Sequence, residues 1–386
     1  MNWDDIIIDA SASDTGMRRQ NNQDSFAAVR AANRETWRRR GHLFMVADGM
    51  GAHAAGELAS KMACDLIPHS YMKAKVGAAG EAIAKAFRDV SAQIHVRAAA
   101  NRDFDGMGTT CSSLLLMPEG ALVAHVGDSR VYRVRERRID QLSFDHSLVW
   151  ELVRRNHLTP EQANVSIPKN VITRSLGPAE VDVDLEGPFA VHEGDVFLLC
   201  SDGLSGFVTD PELGAFAGHF HPRDACRYLV HLANLRGGLD NITVLIVRVG
   251  PWVDPESGET DAHDPDAKKG RPTNGATKSW KDRLVARFTG PKPLQTLAPE
   301  DEHRYRTAEC AIDDRLVEEL SQLVEDVREA AISQAWSVDW TQLSEHRRKL
   351  AEAQAARNAW VSLREIGEIA SMLGQAGRFH RKHAAT

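Results

Sequence analysis

LFMVADGMG (Leu43–Gly51) is an apolar run that reaches an aspartate just where glycines turn the chain. VAHVGDSR (Val123–Arg130) and FLLCSDG (Phe197–Gly203) repeat the arrangement, and a fourth aspartate, Asp240, directly precedes the apolar run NITVLIVRV (Asn241–Val249). A single Asp-Gly pair, such as Asp105-Gly106, reads as a turn. Recurrence at strand ends reads differently. If the strands lie in neighbouring sheets, Asp48, Asp128, Asp202 and Asp240 emerge together, and like charges there repel unless a cation joins them.

Hard oxygen donors without clustered His or Cys favour magnesium or manganese over zinc. Gly49 and Gly203 add room for a backbone carbonyl to approach a metal closely. Two ions ~3.5–4 Å apart activate a shared water for in-line attack on phosphorus. Such a site must also neutralise phosphate oxygens. Arg19, in MRRQNNQD (Met17–Asp24), is the candidate clamp, its alternative being a solvated turn.

Working outward, DIIIDAS, QDSFAAVR and HLFMVADG read as strands, followed by two helices with one apolar face each. The first begins near Gly56 and carries Leu58, Met62, Ala63, Leu66 and Ile67. The second carries Ile83, Phe87, Val90 and Ile94. Strands return at CSSLLLM, ALVAHVGD, VYRVRE and RIDQLS. A short helix at SLVWELVRRNH then leads into a polar stretch, readable as a flap, that ends near Glu180. GDVFLLCSDG and NITVLIVRV bracket a helical region containing Ala225 to Leu235. Strand runs and helix pairs in separate blocks give an α+β class.

Residues 251–300, rich in Pro, Gly, Asp, Lys and Thr, read as a linker between a domain over 1–250 and a helical module over 301–386. In that module Ile312, Leu316, Leu320, Leu323, Val327 and Ala331 form one pattern, and Leu343, Leu350, Trp360, Leu363, Ile366 and Leu373 a second, which predicts a helical hairpin. Its first half is acidic and its second basic, so antiparallel packing pairs the charges. Dimerisation, substrate docking or regulation is the role expected of it, the alternative being a packed appendage with no separate role. Within the linker, SWKDRLVARFTG (Ser279–Gly290) has an apolar face, read as a short packed or irregular segment in preference to a membrane-surface helix.

The 386 residues are 42% hydrophobic with a net charge of −7, ample for a core and without the global basic field that a nucleic-acid partner calls for. Cys64, Cys111, Cys200, Cys226 and Cys310 show neither metal-ligand spacing nor a disulfide framework. With no signal-peptide pattern and no apolar run of ~20 residues, the expectation is a cytoplasmic protein without membrane association.

Taken in order, DTGMRRQNNQDSF, VADGMGAHAAGELAS, GMGTTCSSLLL, AHVGDSRVYRV, LSFDHSLV, ITRSLG, LLCSDGLSG and GGLDNITVLIV resemble the metal-dependent type 2C protein phosphatases in their bacterial form, over roughly residues 10 to 250. The resemblance implies two antiparallel sheets stacked face to face, a helix pair on each outer side, and two Mn2+ or Mg2+ ions at one edge. It implies hydrolysis of phosphoserine and phosphothreonine in proteins by a metal-bridged hydroxide, in opposition to a serine/threonine kinase. Asp48 is then the bridging ligand, the Gly49 carbonyl binds one ion, and Asp202 with Asp240 holds the other. Asp24 acts through metal-bound waters, Asp128 binds a weak third ion, Arg19 takes the phosphate, and Asn241 orients Asp240. His53 is a candidate general acid, the alternative being a turn histidine; His125 and His146 read as structural.

Three positions depart from the family pattern. Gln23 stands where many members have Glu, Gly206 where many have an aspartate at the third ion, and Ala52 where DGMGGH has its second glycine. Two rival functions are weighed: a scaffold that keeps the fold with a defective site, against which the intact Asp48, Asp202, Asp240 and Arg19 argue, and a phosphatase specialised for a phosphorylated anti-sigma-factor antagonist, which the same chemistry would serve. A serine hydrolase built on Asp145, His146 and Ser147 is excluded, since adjacent residues cannot fold back into a triad.

Overall fold

The computed structural model describes residues 7–51, 54–75, 77–155, 171–258, 260–261 and 306–384. The first sheet contains β1 (Ile7–Asp14), β7 (Arg130–Arg135), β8 (Arg138–Gln141), β10 (Val196–Cys200), β11 (Ile242–Val249) and β14 (Thr307–Glu309). Their order is β1-β11-β10-β7-β8-β14, antiparallel throughout. The second sheet contains β2 (Asp24–Val29), β3 (His42–Met50), β5 (Cys111–Met117), β6 (Gly120–Val126) and β9 (Asp184–Phe189) in chain order, with the short β4 (Gly108–Thr109) paired to the end of β3. A small pair, β12 (Trp252–Val253) with β13 (Thr260–Asp261), occupies the described start of the expected linker. The rest of that linker, the amphipathic segment included, lies outside the described residues, as does most of the expected flap.

The two-residue period of a strand explains the layering. Along β3, Phe44 and Val46 point to the interior between the sheets, while Leu43, Met45 and Ala47 face outward. Phe197 and Leu199 on β10, and Leu245 and Val247 on β11, meet them from the other sheet. The outward set of the second sheet packs on α2 (Ala55–Lys73) and α3 (Ala79–Ala99) through Ala59, Ala63, Ile67, Ile83, Phe87 and Val90. That of the first sheet packs on α6 (Asp210–His219) and α7 (Pro222–Leu235), and the expected stacked-sheet α+β architecture stands.

Three short helices lie between these elements: α1 (Arg34–Arg40), α4 (Leu148–Arg154) and α5 (Asp202–Ser205). The C-terminal segment forms three helices where two were expected: α8 (Asp314–Ser333), α9 (Trp340–Ala355) and α10 (Ala359–Ala384). The second apolar pattern is broken at Arg357, whose φ of 53° is left-handed and ends α9. Acidic and basic halves meet as expected at Arg347, which pairs with Glu325 at 3.0 Å.

These helices continue the core of the first sheet, because α7 carries a second apolar face that they cover. Leu316, Leu320, Leu343, Leu363, Ile366 and Leu373 share one cluster with Tyr228, Leu229 and Val244. Glycines allow the approach: a Cβ on Gly367 would lie 2.7 Å from the Tyr228 ring, and one on Gly374 would lie 2.6 Å from His231 Nδ1. Glu368 fastens the contact by accepting from Arg227 at 2.7 Å and from the Tyr228 hydroxyl at 2.6 Å. All five cysteines are buried and free.

Candidate active site

Asp24 opens β2 and stands directly across from Asp48 on β3. Asp128 follows β6, Asp202 follows β10 at the first turn of α5, and Asp240 precedes β11. The stacked sheets bring these ends together at one edge. Asp24 and Asp128 are buried, 8% and 6% exposed, while Asp48, Asp202 and Asp240 keep a face toward solvent. The Asp48 carboxyl is within hydrogen-bonding reach of Asp202 and feels the charges of Asp24 and Asp128.

Burial and mutual repulsion hold Asp24, Asp48, Asp128 and Asp202 above the usual carboxylate range. Burial pushes Asp24 up to about 7, against hydrogen bonds from Ser201 and Thr243. Burial, then the Asp202 and Asp145 charges, pushes Asp128 up to about 8, with Arg130 opposing. Asp48 and Asp202 move in the same direction, burial again being the largest cause. Arg130 offsets the cluster only in part, since its guanidinium is paired with Asp145, at 2.6 and 2.9 Å.

Do these residues fit a pair of divalent cations? Asp24 Oδ1, Asp128 Oδ1 and Asp202 Oδ1 are buried oxygens without a hydrogen-bond partner, an arrangement that costs free energy unless something positive satisfies them. Among the described residues no three His, Cys, Asp or Glu side chains close into a ready-made metal cage. The case therefore rests on the unsatisfied oxygens, the repelling charges and an all-oxygen donor set, which suit Mg2+ or Mn2+ with water completing the coordination.

The surrounding chain fixes the acids. Ser201 Oγ donates to Asp24 Oδ2 at 2.7 Å and itself accepts from Thr243 N at 2.9 Å. The Asp48 amide donates to Thr110 Oγ1 at 2.9 Å, and Thr109 Oγ1 donates to the Asp48 carbonyl at 2.8 Å. His146 Nδ1 accepts from Gly127 N at 3.0 Å, so its proton sits on Nε2 and faces Asp184 at 2.9 Å. That bond clamps the turn carrying Asp128, and with His125 buried against Ser112 and the Phe144 carbonyl, both histidines are structural as read.

Gly49 and Gly203 are required for backbone packing: a Cβ would lie 2.0 Å from Gly56 O at the first and 1.9 Å from Asn241 O at the second. Asn241 reaches Asp240 through its backbone N–H, which donates to Asp240 Oδ1 at 2.9 Å. Its side chain instead stitches the β1–β2 loop, accepting from Gln23 N at 2.8 Å and donating to the carbonyls of Thr15 (3.0 Å) and Asn21 (2.9 Å). Arg19 extends from that loop, half exposed, and donates to Asp240 Oδ2 at 2.8 Å. His53 and Ala52 lie outside the described residues. Sequence reasoning missed Ser201, Thr109 and Thr110, although each adjoins an aspartate motif or is close to one in the chain.

The family model described as Protein phosphatase 2C matches residues 17–232. Protein phosphatase PhpP of Streptococcus pneumoniae is 36% identical over 240 residues, 61% of this chain and 94% of that protein. The solved serine/threonine phosphatase PstP/Ppp of Mycobacterium tuberculosis superposes with a TM-score of 0.57 at 32% identity, over 64% of this chain and 99% of that one. The PstP catalytic domain solved in complex with 2 manganese ions gives 0.55 at 32% identity, with the same coverage of 64% and 99%.

Proposed function

The chain belongs to the protein phosphatase 2C family and is a divalent-metal-dependent protein serine/threonine phosphatase, and on that premise we propose how its residues divide the work. Asp48, the Gly49 carbonyl, Asp202 and Asp240 hold two ions, with Asp24 acting through water. The observation that carries this assignment is the set of buried, partnerless oxygens of Asp24, Asp128 and Asp202 around Asp48. Bound there, the ions polarise the phosphoryl oxygens and lower the pKa of the attacking water.

The protein's own groups do the rest. Arg19 exchanges Asp240 for a phosphate oxygen, a geometry that a planar guanidinium on a half-exposed arm permits. Ser201 keeps Asp24 Oδ2 engaged, so that Oδ1 is presented to the site. His53 serves as the proton donor to the leaving serine or threonine oxygen. Asp128 offers a third, weaker position; Gly206, whose amide closes the turn on the Asp202 carbonyl at 2.7 Å, supplies no carboxylate to it.

Manganese is the favoured ion, on the strength of the manganese-bound relative. The substrates are phosphoproteins, and we place the enzyme opposite a serine/threonine kinase in the cytoplasm, a setting that suits five free cysteines. Among the described residues no helix is long and apolar enough to cross a membrane. Dimerisation or docking through residues 301–386 is a further role proposed for the tail.

The test is hydrolysis of a phosphothreonine peptide with Mn2+, Mg2+ or chelator by wild type, Asp48→Ala and Asp240→Ala. Manganese-dependent turnover lost in both variants supports the assignment; a folded, inactive wild type favours a scaffold.

A further inference from the structure

The loop from Asp14 to Arg19 is held between two walls. On the inner side Met17 N donates to Gly238 O at 2.7 Å, and Gly16 (φ +76°) lies so close to the site that a Cβ would be 2.1 Å from Asp240 O. The outer wall is the last part of α10. Arg381 Nη1 donates to Met17 O at 2.7 Å. Arg378 pairs with the carboxylate of buried Asp14, whose Oδ1 accepts from Gly16 N at 2.8 Å. Met17 Cε lies 3.4 Å from where a Cβ on Gly377 would stand.

Both backbone polar groups of Met17 are thus engaged, its N–H by the Asp240 loop and its carbonyl by α10. Arg19 follows two residues later, on a segment without regular structure. We infer that Arg381, assisted by Arg378, is a positioning residue for the Arg19 guanidinium: α10 sets the loop that aims Arg19 at the phosphate. The inference rests on Arg19 being the phosphate clamp. Helix α10 lies beyond residues 17–232, which the family model matches. An arginine held in its productive orientation gives up less freedom when phosphate arrives. Loss of the Arg381 bond is therefore read in substrate affinity, while the metal ligands on the sheet edge keep their supports.

The experiment is steady-state kinetics of the full chain with Mn2+ and a phosphothreonine peptide, for wild type, Arg381→Ala, Arg381→Lys, Arg19→Ala and the double variant with both alanines. Arg381→Ala is expected to raise KM about three- to tenfold, the worth of one hydrogen bond, with kcat close to wild type. Arg381→Lys, which can still donate to Met17 O, recovers most of the loss. In the Arg19→Ala background the Arg381→Ala change has no further effect, because its target is gone. An unchanged KM in Arg381→Ala, or the same rise in both backgrounds, overturns the inference and leaves the phosphatase assignment standing. If Arg19→Ala itself binds substrate as wild type does, the clamp and its brace both fall. A wild type without manganese-dependent turnover overturns the active-site reading and this inference with it.

Discussion

Asp24 and Asp48 are direct cross-strand partners, facing each other across β2 and β3 at the edge of the second sheet. Opposed like charges destabilise a strand pair. Here Asp24 is also buried, and its Oδ1 has no hydrogen-bond partner. On the proposed reading the pair is kept for a cation, and the consequences are measurable.

Stabilisation by metal should depend on pH. With chelator present, Asp24 and Asp128 are held up to about 7 and about 8, so the folded protein retains protons that the unfolded chain has released above about pH 4. The stability that those protons confer is complete below about pH 4 and is lost as pH rises through 7 to 8. Manganese replaces the protons, so the rise in Tm on adding Mn2+ should be small at pH 5.5 and several degrees larger at pH 8. A pH-independent increment would show that the acids are not the ligands.

Asp48→Asn should separate stability from function. Without metal the buried Asp48 carboxyl must either hold a proton or repel Asp24 and Asp202, and an amide does neither, so at pH 8 the chelated variant should be about 1 kcal/mol more stable than wild type while losing peptide hydrolysis. Urea unfolding beside an activity assay checks this. A destabilised variant would mean that Asp48 is structurally satisfied.

Burial holds His125 down to about 3, so the folded state refuses a proton that the unfolded chain accepts below about pH 6.5. Stability from the neutral ring is present above that value and falls with acidification. His125→Gln has no such proton to accept, so the stability gap between wild type and variant should narrow from pH 7 to 5. A constant gap would place the His125 pKa near its unfolded value.

Glu368→Ala tests the attachment of the C-terminal helices. It removes the two guanidinium bonds of Arg227 and the hydroxyl bond of Tyr228, leaving the latter buried against α10. A loss of about 1–2 kcal/mol in a single cooperative unfolding transition is expected, discounted for the partial exposure of Arg227. Separate transitions for the two parts would show that they fold independently.

The strands and the aspartates were readable because alternation and strand-ending Asp-Gly pairs are local signals. What the sequence hid was local in a weaker way, or not local at all. Helix α1 has Trp37 as its one buried apolar residue, and α6 announces itself mainly through the Thr209–Glu212 capping contact. The helix break at Arg357 carries no glycine or proline to mark it. Ser201 became meaningful only when the stacked sheets brought the end of β10 to the start of β2, and Arg381 only when α10 reached a loop 364 residues earlier in the chain. Gly49 and Gly203 were picked out as room for a carbonyl at a metal, and the space that their missing side chains open is filled by backbone.

Electron paramagnetic resonance of the manganese-loaded full chain tests the two-ion site most directly. Two ions bridged by Asp48, ~3.5–4 Å apart, should give an exchange-coupled spectrum that collapses to isolated-ion signals in Asp48→Asn. Isolated signals in the wild type, or coupling that survives the substitution, would contradict the account.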